Sequence, residues 1–102
     1  MTTDQLQYFP PASRPYCLEL WQSYPFKFVL RKDRTTKLGD YRHGGSVKSP
    51  TITVNRGLSP ETFLITYIHE VAHHVAIMEH GKKIRPHGKE WKQTFRSLME
   101  PV

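Results

Sequence analysis

The chain is short and basic: it has 102 residues, 15 Lys and Arg against 9 Asp and Glu, six His and one Cys, with a formal charge of +6. With 37% hydrophobic and 12% aromatic residues it can form one core, which excludes disordered and fibrous classes. The single cysteine excludes an internal disulfide framework and a four-cysteine zinc site. Neither an apolar run of membrane-spanning length nor a signal-peptide pattern is present, so we predict a cytoplasmic domain without membrane contact.

The excess charge is concentrated in the middle of the chain. Residues 27–56 hold eight basic side chains against two acidic ones, whereas residues 1–26 carry a net −1 and residues 57–102 a net +1. A one-sided positive surface attracts polyanions such as nucleic acids, although a solvated basic surface explains the charge equally well. The candidate nucleic-acid contacts are Arg31, Lys32, Arg34, Lys37, Arg42 and Lys48.

The first half of the chain predicts one helix followed by three strands. We expect residues 1–12 to form an N-terminal extension that ends at a di-proline, and residues 13–102 to form the domain. A helix is predicted from Ser13 to the residue before Pro25. Alternating patterns predict strands at 26–31, 36–43 and 51–55, and the glycines and proline between the last two are typical of a hairpin loop. These elements indicate an α+β fold with a three-stranded antiparallel sheet.

The strongest helix signal spans about 21 residues between Ser59, a typical N-cap, and Gly81, a typical helix stop. Its apolar residues recur at helical spacing and cover so much of the surface that we expect little of this helix to face water. These residues are Leu64, Ile68, Val71, Val75 and Met78, together with Phe63, Ile65, Ala72 and Ala76. A last amphipathic helix follows, with Trp91, Phe95 and Leu98 on its apolar face.

The central helix contains the pattern His69-Glu70-Val71-Ala72-His73. On a helix, His69 and His73 lie about 6 Å apart along the axis and about 40° apart around it, so both imidazoles can bind one ion. Glu70 is turned by about 100° from His69, which places its carboxylate beside the metal without binding it. Because polar groups on a buried helix need a partner, the pattern predicts a metal site rather than ordinary surface side chains.

A catalytic zinc ion needs a third protein ligand and an open position for water. His74 points about 100° away from His73, and Glu79 and His80 lie too far along the helix axis to share the ion. We expect His43, in the predicted hairpin, to be a surface residue.

Two candidates for the third ligand, His87 and Glu90, lie beyond the turn at Gly81, where the returning chain can approach the helix. We favour His87 because Pro86 and Gly88 indicate a fixed, non-helical backbone around it. Glu90 is then placed in the first turn of the last helix, as a capping or supporting carboxylate.

Three neutral imidazoles leave the full charge on a single Zn²⁺ ion, which lowers the pKa of a bound water to around 7. Glu70 would take the proton from that water and pass it to the leaving amine, so the pattern predicts peptide-bond hydrolysis. A further donor should stabilise the oxyanion, and the candidates are Tyr41, Arg42 and His80. The alternative function is a nucleic-acid-binding module with a structural zinc ion and no proteolytic activity.

The combination of motifs resembles a known family. His69-Glu70-x-x-His73 is followed after 13 residues by His87-Gly88-x-x-Trp91 and preceded by Gly39-Asp40-Tyr41 and by Ile52-Thr53-Val54-Asn55. Over about residues 13 to 100 the chain resembles the SprT-like zinc metallopeptidase domain of the SprT/Spartan family. The resemblance implies a small zincin-like domain in which His69, His73 and His87 bind zinc and Glu70 is the catalytic acid and base.

The resemblance also implies a protein or peptide substrate, with DNA-associated proteins as one substrate class. Many members of the family continue into a C-terminal zinc ribbon, whereas this chain ends at Val102. We expect either the small bacterial type that lacks the ribbon or a part of a longer protein. We also expect a monomer.

Overall fold

Four helices and three strands form the fold in a computed structural model that describes residues 1–32, 36–44 and 49–102. In chain order they are α1 (Thr3–Leu6), a 3-10 turn (Pro11–Ser13), α2 (Arg14–Ser23), β1 (Lys27–Arg31), β2 (Gly39–Arg42), β3 (Thr51–Asn55), α3 (Pro60–His80) and α4 (Lys89–Met99). The predicted α+β class is confirmed. Among the described residues, no helix combines the length and hydropathy of a membrane span.

The three strands form one mixed sheet in the order β1-β3-β2. β3 pairs with β2 in the antiparallel direction, as the predicted hairpin requires, and with β1 in the parallel direction. The prediction of a wholly antiparallel sheet is therefore wrong, because an alternating pattern identifies a strand and its buried face but not its neighbours. The central place suits β3, since Ile52 and Val54 are fully buried there.

Helix α3 begins and ends at the predicted signals. The side chain of Ser59 accepts a hydrogen bond from the backbone N–H of Thr62, and Gly81 follows the helix with a φ of 88°, which favours glycine. The helix packs against β2, β3 and α4. These neighbours leave Ile65 and Met78 exposed, so the expectation that little of this helix faces water is wrong for these two residues.

Aromatic side chains fill the core between α3, β1 and the N-terminal segment. Phe9 and Phe28 meet the ring of Tyr67 edge to face, with centroids 4.8 and 5.4 Å away. Phe63 contacts Phe9 in the same way at 4.9 Å. The hydroxyl of Tyr67 donates a hydrogen bond to the carbonyl of Cys17, which is fully buried, as expected of a small apolar side chain. Through Phe9, the first twelve residues of the chain contribute to this core.

Candidate metal centre

Helix α3 carries His69 and His73 one turn apart, with ring centroids 5.1 Å from each other. Both side chains are partly buried. Burial, followed by the nearby histidines, lowers the pKa of each imidazole, to about 4 for His73. Both rings are therefore neutral at pH 7, which is the form that binds a metal ion.

His87 reaches this pair from the segment between α3 and α4. Its φ of 59° is a left-handed conformation that histidine adopts more readily than most residues. The backbone N–H of Gly88 donates to the carbonyl of Arg85 at 3.0 Å and closes the turn. Here His87 Nε2 lies 3.0 Å from His69 Nε2 and 3.1 Å from His73 Nε2. The ligand atoms of the three residues all lie within 4.8 Å of one another, so these histidines can hold a metal ion.

Glu70 lies next to the three histidines but does not belong to this group of ligand atoms. Its side chain is 11% exposed, and its Oε2 lies 4.0 Å from His69 Nε2. β2 covers this part of α3 closely: a Cβ on Gly39 would lie 2.7 Å from Thr66 Cγ2 and 3.4 Å from Glu70 Cγ. The absence of a side chain at residue 39 therefore lets the strand approach Glu70. The result is a buried carboxylate beside a metal-binding group, which is a suitable position for proton transfer.

A cleft of about 470 Å³ opens above the histidines, between the start of β2 and helix α3. Its size is within the range of ligand-binding pockets. In the described sheet β2 is an edge strand, so one wall of the cleft ends at a free strand edge. The residues that line the cleft are Lys37, Leu38, Gly39, Ile65, Thr66, His69, Glu70, His73 and His87.

Trp91 supports the histidines from α4. The centroid of the indole lies 4.8 Å from the rings of His69 and His87 and 5.3 Å from that of His73. Its N–H donates to the backbone carbonyl of His69 at 3.2 Å, and Phe95 stacks on it at 5.0 Å. The sequence places Trp91 on an apolar helix face and in the motif His87-Gly88-x-x-Trp91, but it does not predict this contact. Its place in this short motif, only four residues after His87, was the signal that could have revealed the contact.

A comparison with protein families gives the assignment of this domain. The model of the SprT-like family matches residues 16–102 of the chain. The chain belongs to the SprT-like family. The earlier resemblance is thus confirmed, and the domain is of the zincin-like, metallopeptidase type. No curated protein and no solved structure matches the chain significantly.

The three oxyanion candidates of this SprT-like domain lie outside the lining of the cleft. The hydroxyl of Tyr41 lies 2.8 Å from His74 Nδ1, and burial raises the pKa of this tyrosine to about 12. Arg42 donates to the carboxylate of Asp40 at 2.9 Å. His80 is exposed in the last turn of α3. The structure therefore brings none of these three side chains to the histidine cluster.

The remaining histidines and Glu90 are not part of the cluster found among the described residues of the SprT-like domain. His74 is buried away from it, as the helix geometry predicted, and its Nε2 lies 3.2 Å from the carbonyl of Pro25. His43, which we expected to be a surface residue rather than a ligand, is partly buried and stacks on Tyr41 with ring centroids 5.3 Å apart. Glu90 lies in the first turn of α4, where we expected it.

The basic candidates of the SprT-like domain do not form one patch in the part of the chain that the structure describes. Arg31 and Lys32 are exposed at the end of β1, on the same end of the sheet as the start of β2. Lys37 lines the cleft. Arg42 lies at the opposite end of the sheet and is paired with Asp40. Two further candidates lie outside the described residues, namely Arg34 and Lys48.

Proposed function

We propose that this protein is a zinc-dependent metallopeptidase that hydrolyses peptide bonds. The observation that carries the proposal is the convergence of the Nε2 atoms of His69, His73 and His87 beside the Glu70 carboxylate. Two nitrogens that bind one tetrahedral zinc ion at about 2.0–2.1 Å lie about 3.4 Å apart, close to the separations of 3.0 and 3.1 Å. Three imidazoles without a thiolate are typical of catalytic zinc sites rather than structural ones.

The residues of the site have separate roles in this reaction. Bound zinc would supply a Lewis acid that polarises the scissile carbonyl and lowers the pKa of water towards neutrality. His69, His73 and His87 would hold the ion through their Nε2 atoms. Glu70 would take a proton from the attacking water and give it to the amine nitrogen as the C–N bond breaks. One water molecule is consumed, and a carboxylic acid and an amine are released.

The edge strand β2 offers a way to bind the substrate. It pairs with β3 on one side, and its first residue lines the cleft. An extended peptide can add to the free side of β2 through backbone hydrogen bonds and lie across the histidines. This mode of binding requires an extended backbone, so the proposed substrates are unfolded or loop segments of proteins, and peptides.

Substitution of Glu70 by Gln tests the proposal, because it keeps the shape of the side chain and the three histidines but removes the proton acceptor. We expect the zinc-loaded wild-type protein to cleave an unfolded, labelled protein, and Glu70→Gln to lose activity by a factor of about 10² or more. Both proteins should bind one zinc ion per chain, measured by elemental analysis.

The matched control is Glu79→Gln, the same change at an exposed position near the end of the same helix. It should leave cleavage unchanged. Equal cleavage by Glu70→Gln and wild type would rule out the proposed role of Glu70, and failure to bind zinc would rule out the metal centre.

A second candidate function, nucleic-acid binding, is favoured by the basic end of the sheet. Lys32 and Arg56 line a shallow cavity of about 380 Å³ together with Tyr8, and Arg31 directly precedes Lys32. Such an arrangement suits phosphates, and it would bring DNA-associated proteins to the peptidase site as substrates.

Binding of a DNA oligonucleotide tests this second function. We expect salt-dependent binding, which the double change Lys32→Gln with Arg56→Gln should weaken and Glu70→Gln should leave intact. DNA binding of equal affinity in the double variant and the wild type would contradict a role of this surface in DNA binding.

A further inference from the structure

The cleft above the three histidines contains two large apolar side chains that are open to solvent. Leu38, directly before β2, is 46% exposed, and Ile65 on α3 is 48% exposed. Both line the cleft, whereas Met78, which is 59% exposed on the same helix, does not. Single exposed apolar residues are common on protein surfaces, but two in one cleft beside polar reactive groups are typical of a binding site.

We propose that Leu38 and Ile65 form a subsite for a bulky apolar side chain of the substrate, so that this protein cuts extended segments close to residues such as Leu, Phe, Ile or Met. The proposal rests on the peptidase function above and adds a substrate class to it. A substrate side chain that covers this pair removes apolar surface of both partners from water, which favours binding. Unfolded proteins expose many such side chains, whereas folded proteins bury most of them.

The distance between the subsite and the scissile bond follows from helix geometry. Ile65 precedes His69 by four residues, which corresponds to about 6 Å along the helix axis. An extended peptide advances about 3.3 Å per residue. The apolar side chain therefore belongs to a residue within about two positions of the peptide bond that lies at the histidines.

The other residues of this part of the cleft also favour an apolar side chain of the substrate. Gly39 has no side chain and Thr66 is 8% exposed, so neither adds a bulky group to the cleft. Lys37 lines the cleft with its side chain 47% exposed, and its Nζ lies 3.6 Å from Asp40 Oδ1. A lysine or arginine of the substrate would lose water on apolar walls and approach this cation, so the subsite disfavours basic side chains.

The first test maps the bonds that the zinc-loaded full chain cuts in an unfolded protein, by mass spectrometry. We expect cleavage sites to cluster within two residues of a large apolar side chain. In a peptide built on the best site, replacement of that side chain by Ala should lower kcat/KM about tenfold, and replacement by Lys should lower it further. Cleavage sites without this preference would overturn the subsite.

Substitutions in the cleft test whether Leu38 and Ile65 cause the preference for apolar side chains. Ile65→Ser and Leu38→Ser should each reduce the ratio of kcat/KM between the Leu and Ala peptides several-fold. Met78→Ser, which removes an apolar side chain of similar exposure from the same helix as Ile65, should leave the ratio unchanged. If both cleft variants kept the wild-type ratio of kcat/KM between the Leu and Ala peptides, the assignment of the subsite to Leu38 and Ile65 would be overturned. All of these side chains are exposed, so folding should be preserved, which circular dichroism verifies.

Binding to the Glu70→Gln protein gives a readout that does not depend on hydrolysis. Fluorescence anisotropy should show tighter binding of the Leu peptide than of the Lys peptide, and Ile65→Ser in the Glu70→Gln background should reduce that difference. If the wild type does not cut peptides but the binding preference is present, the peptidase function fails and the apolar subsite stands. If cleavage depends on Glu70 but neither cleavage nor binding favours apolar residues, the subsite fails and the peptidase function stands.

Discussion

Burial and two neighbouring histidines lower the pKa of His73 to about 4, and burial together with His87 lowers the pKa of His69. Between pH 6.5 and about 4, the unfolded chain therefore binds more protons at His73 than the folded chain does, and the lowered pKa of His69 acts in the same direction. The folded state of the metal-free protein must lose stability as the pH falls through this window. We expect a smaller free energy of unfolding at pH 5 than at pH 7.5, measured by urea denaturation after chelation.

The change His73→Gln provides the control for this pH dependence, because glutamine does not titrate. It should reduce the difference in the free energy of unfolding between pH 7.5 and pH 5. A metal-free wild type that is equally stable at both pH values would contradict the neutral state of these imidazoles in the fold.

Trp91 is the residue through which α4 supports the metal centre. Trp91→Phe keeps an aromatic ring but removes the N–H that donates to the carbonyl of His69. Since residues that orient metal ligands commonly contribute a factor of 10–100 to affinity, we expect about a tenfold weaker binding of zinc, measured by competition with a chelator.

Trp21→Phe is the matched control for Trp91→Phe. The Trp21 indole also donates to a backbone carbonyl, that of Phe26 at 2.8 Å, and among the described residues no ring contact joins it to the three histidines. Both changes should lower stability by about 1 kcal/mol, the usual contribution of one hydrogen bond, but only Trp91→Phe should weaken zinc binding. Equal zinc affinities in the two variants would show that Trp91 serves only to pack α4.

At the scale of elements, the close approach of β2 to α3 shapes the cleft. A methyl group on Gly39 would lie 2.7 Å from Thr66 Cγ2 and 2.9 Å from the carbonyl oxygen of Thr53. Because the Thr53 carbonyl is part of β3 and the Thr66 side chain is buried at the same contact, we expect Gly39→Ala to cost about 1–3 kcal/mol in urea denaturation. The displaced strand should also lower the peptidase activity.

The double variant Gly39→Ala with Thr66→Ala tests the cause of this loss. Removal of the Thr66 methyl group relieves the shorter contact, while the contact with the Thr53 carbonyl persists. The change Gly39→Ala should therefore cost less stability in the Thr66→Ala background than in the wild type. Simple additivity of the two changes would argue against a clash between β2 and α3.

At the scale of the whole molecule, the core does not depend on the metal centre. The aromatic cluster of Phe9, Phe28, Phe63 and Tyr67 is built from α3, β1 and the N-terminal segment, without a contribution from the three histidines. Removal of zinc by a chelator should therefore leave the helix content in circular dichroism unchanged. The protein should lose only the stabilisation by binding, about 2.7 kcal/mol when free zinc is a hundred times its dissociation constant.

A structural zinc site behaves differently, because domains that need the ion unfold when it is removed. Cooperative loss of helix signal on chelation at 25 °C would therefore contradict the catalytic assignment and favour the nucleic-acid-binding module. A folded, metal-free protein that regains peptidase activity when zinc is added back would support the assignment.

Much of the candidate site could be predicted because it lies on one helix. The spacing of His69, Glu70 and His73, and the limits of α3 at Ser59 and Gly81, depend on residues within one or two turns, where sequence separation sets distance. His87 was favoured through the local pattern around it. Its approach to within 3.1 Å of the other two depends on the path of the chain between α3 and α4, which no periodicity describes.

The sequence by itself determined the α+β class, the three strands, the long helix with its histidine pair and the resemblance to the SprT-like family, because these follow from local patterns. The tertiary structure decided that β3 lies between β1 and β2, that Tyr41 contacts His74 instead of the cleft, and that Trp91 supports the histidines. It also left Leu38 and Ile65 exposed beside them. The physical reason is that burial and contact between distant segments depend on how the elements pack. Residues of one apolar pattern can therefore be buried in the core or left exposed to solvent.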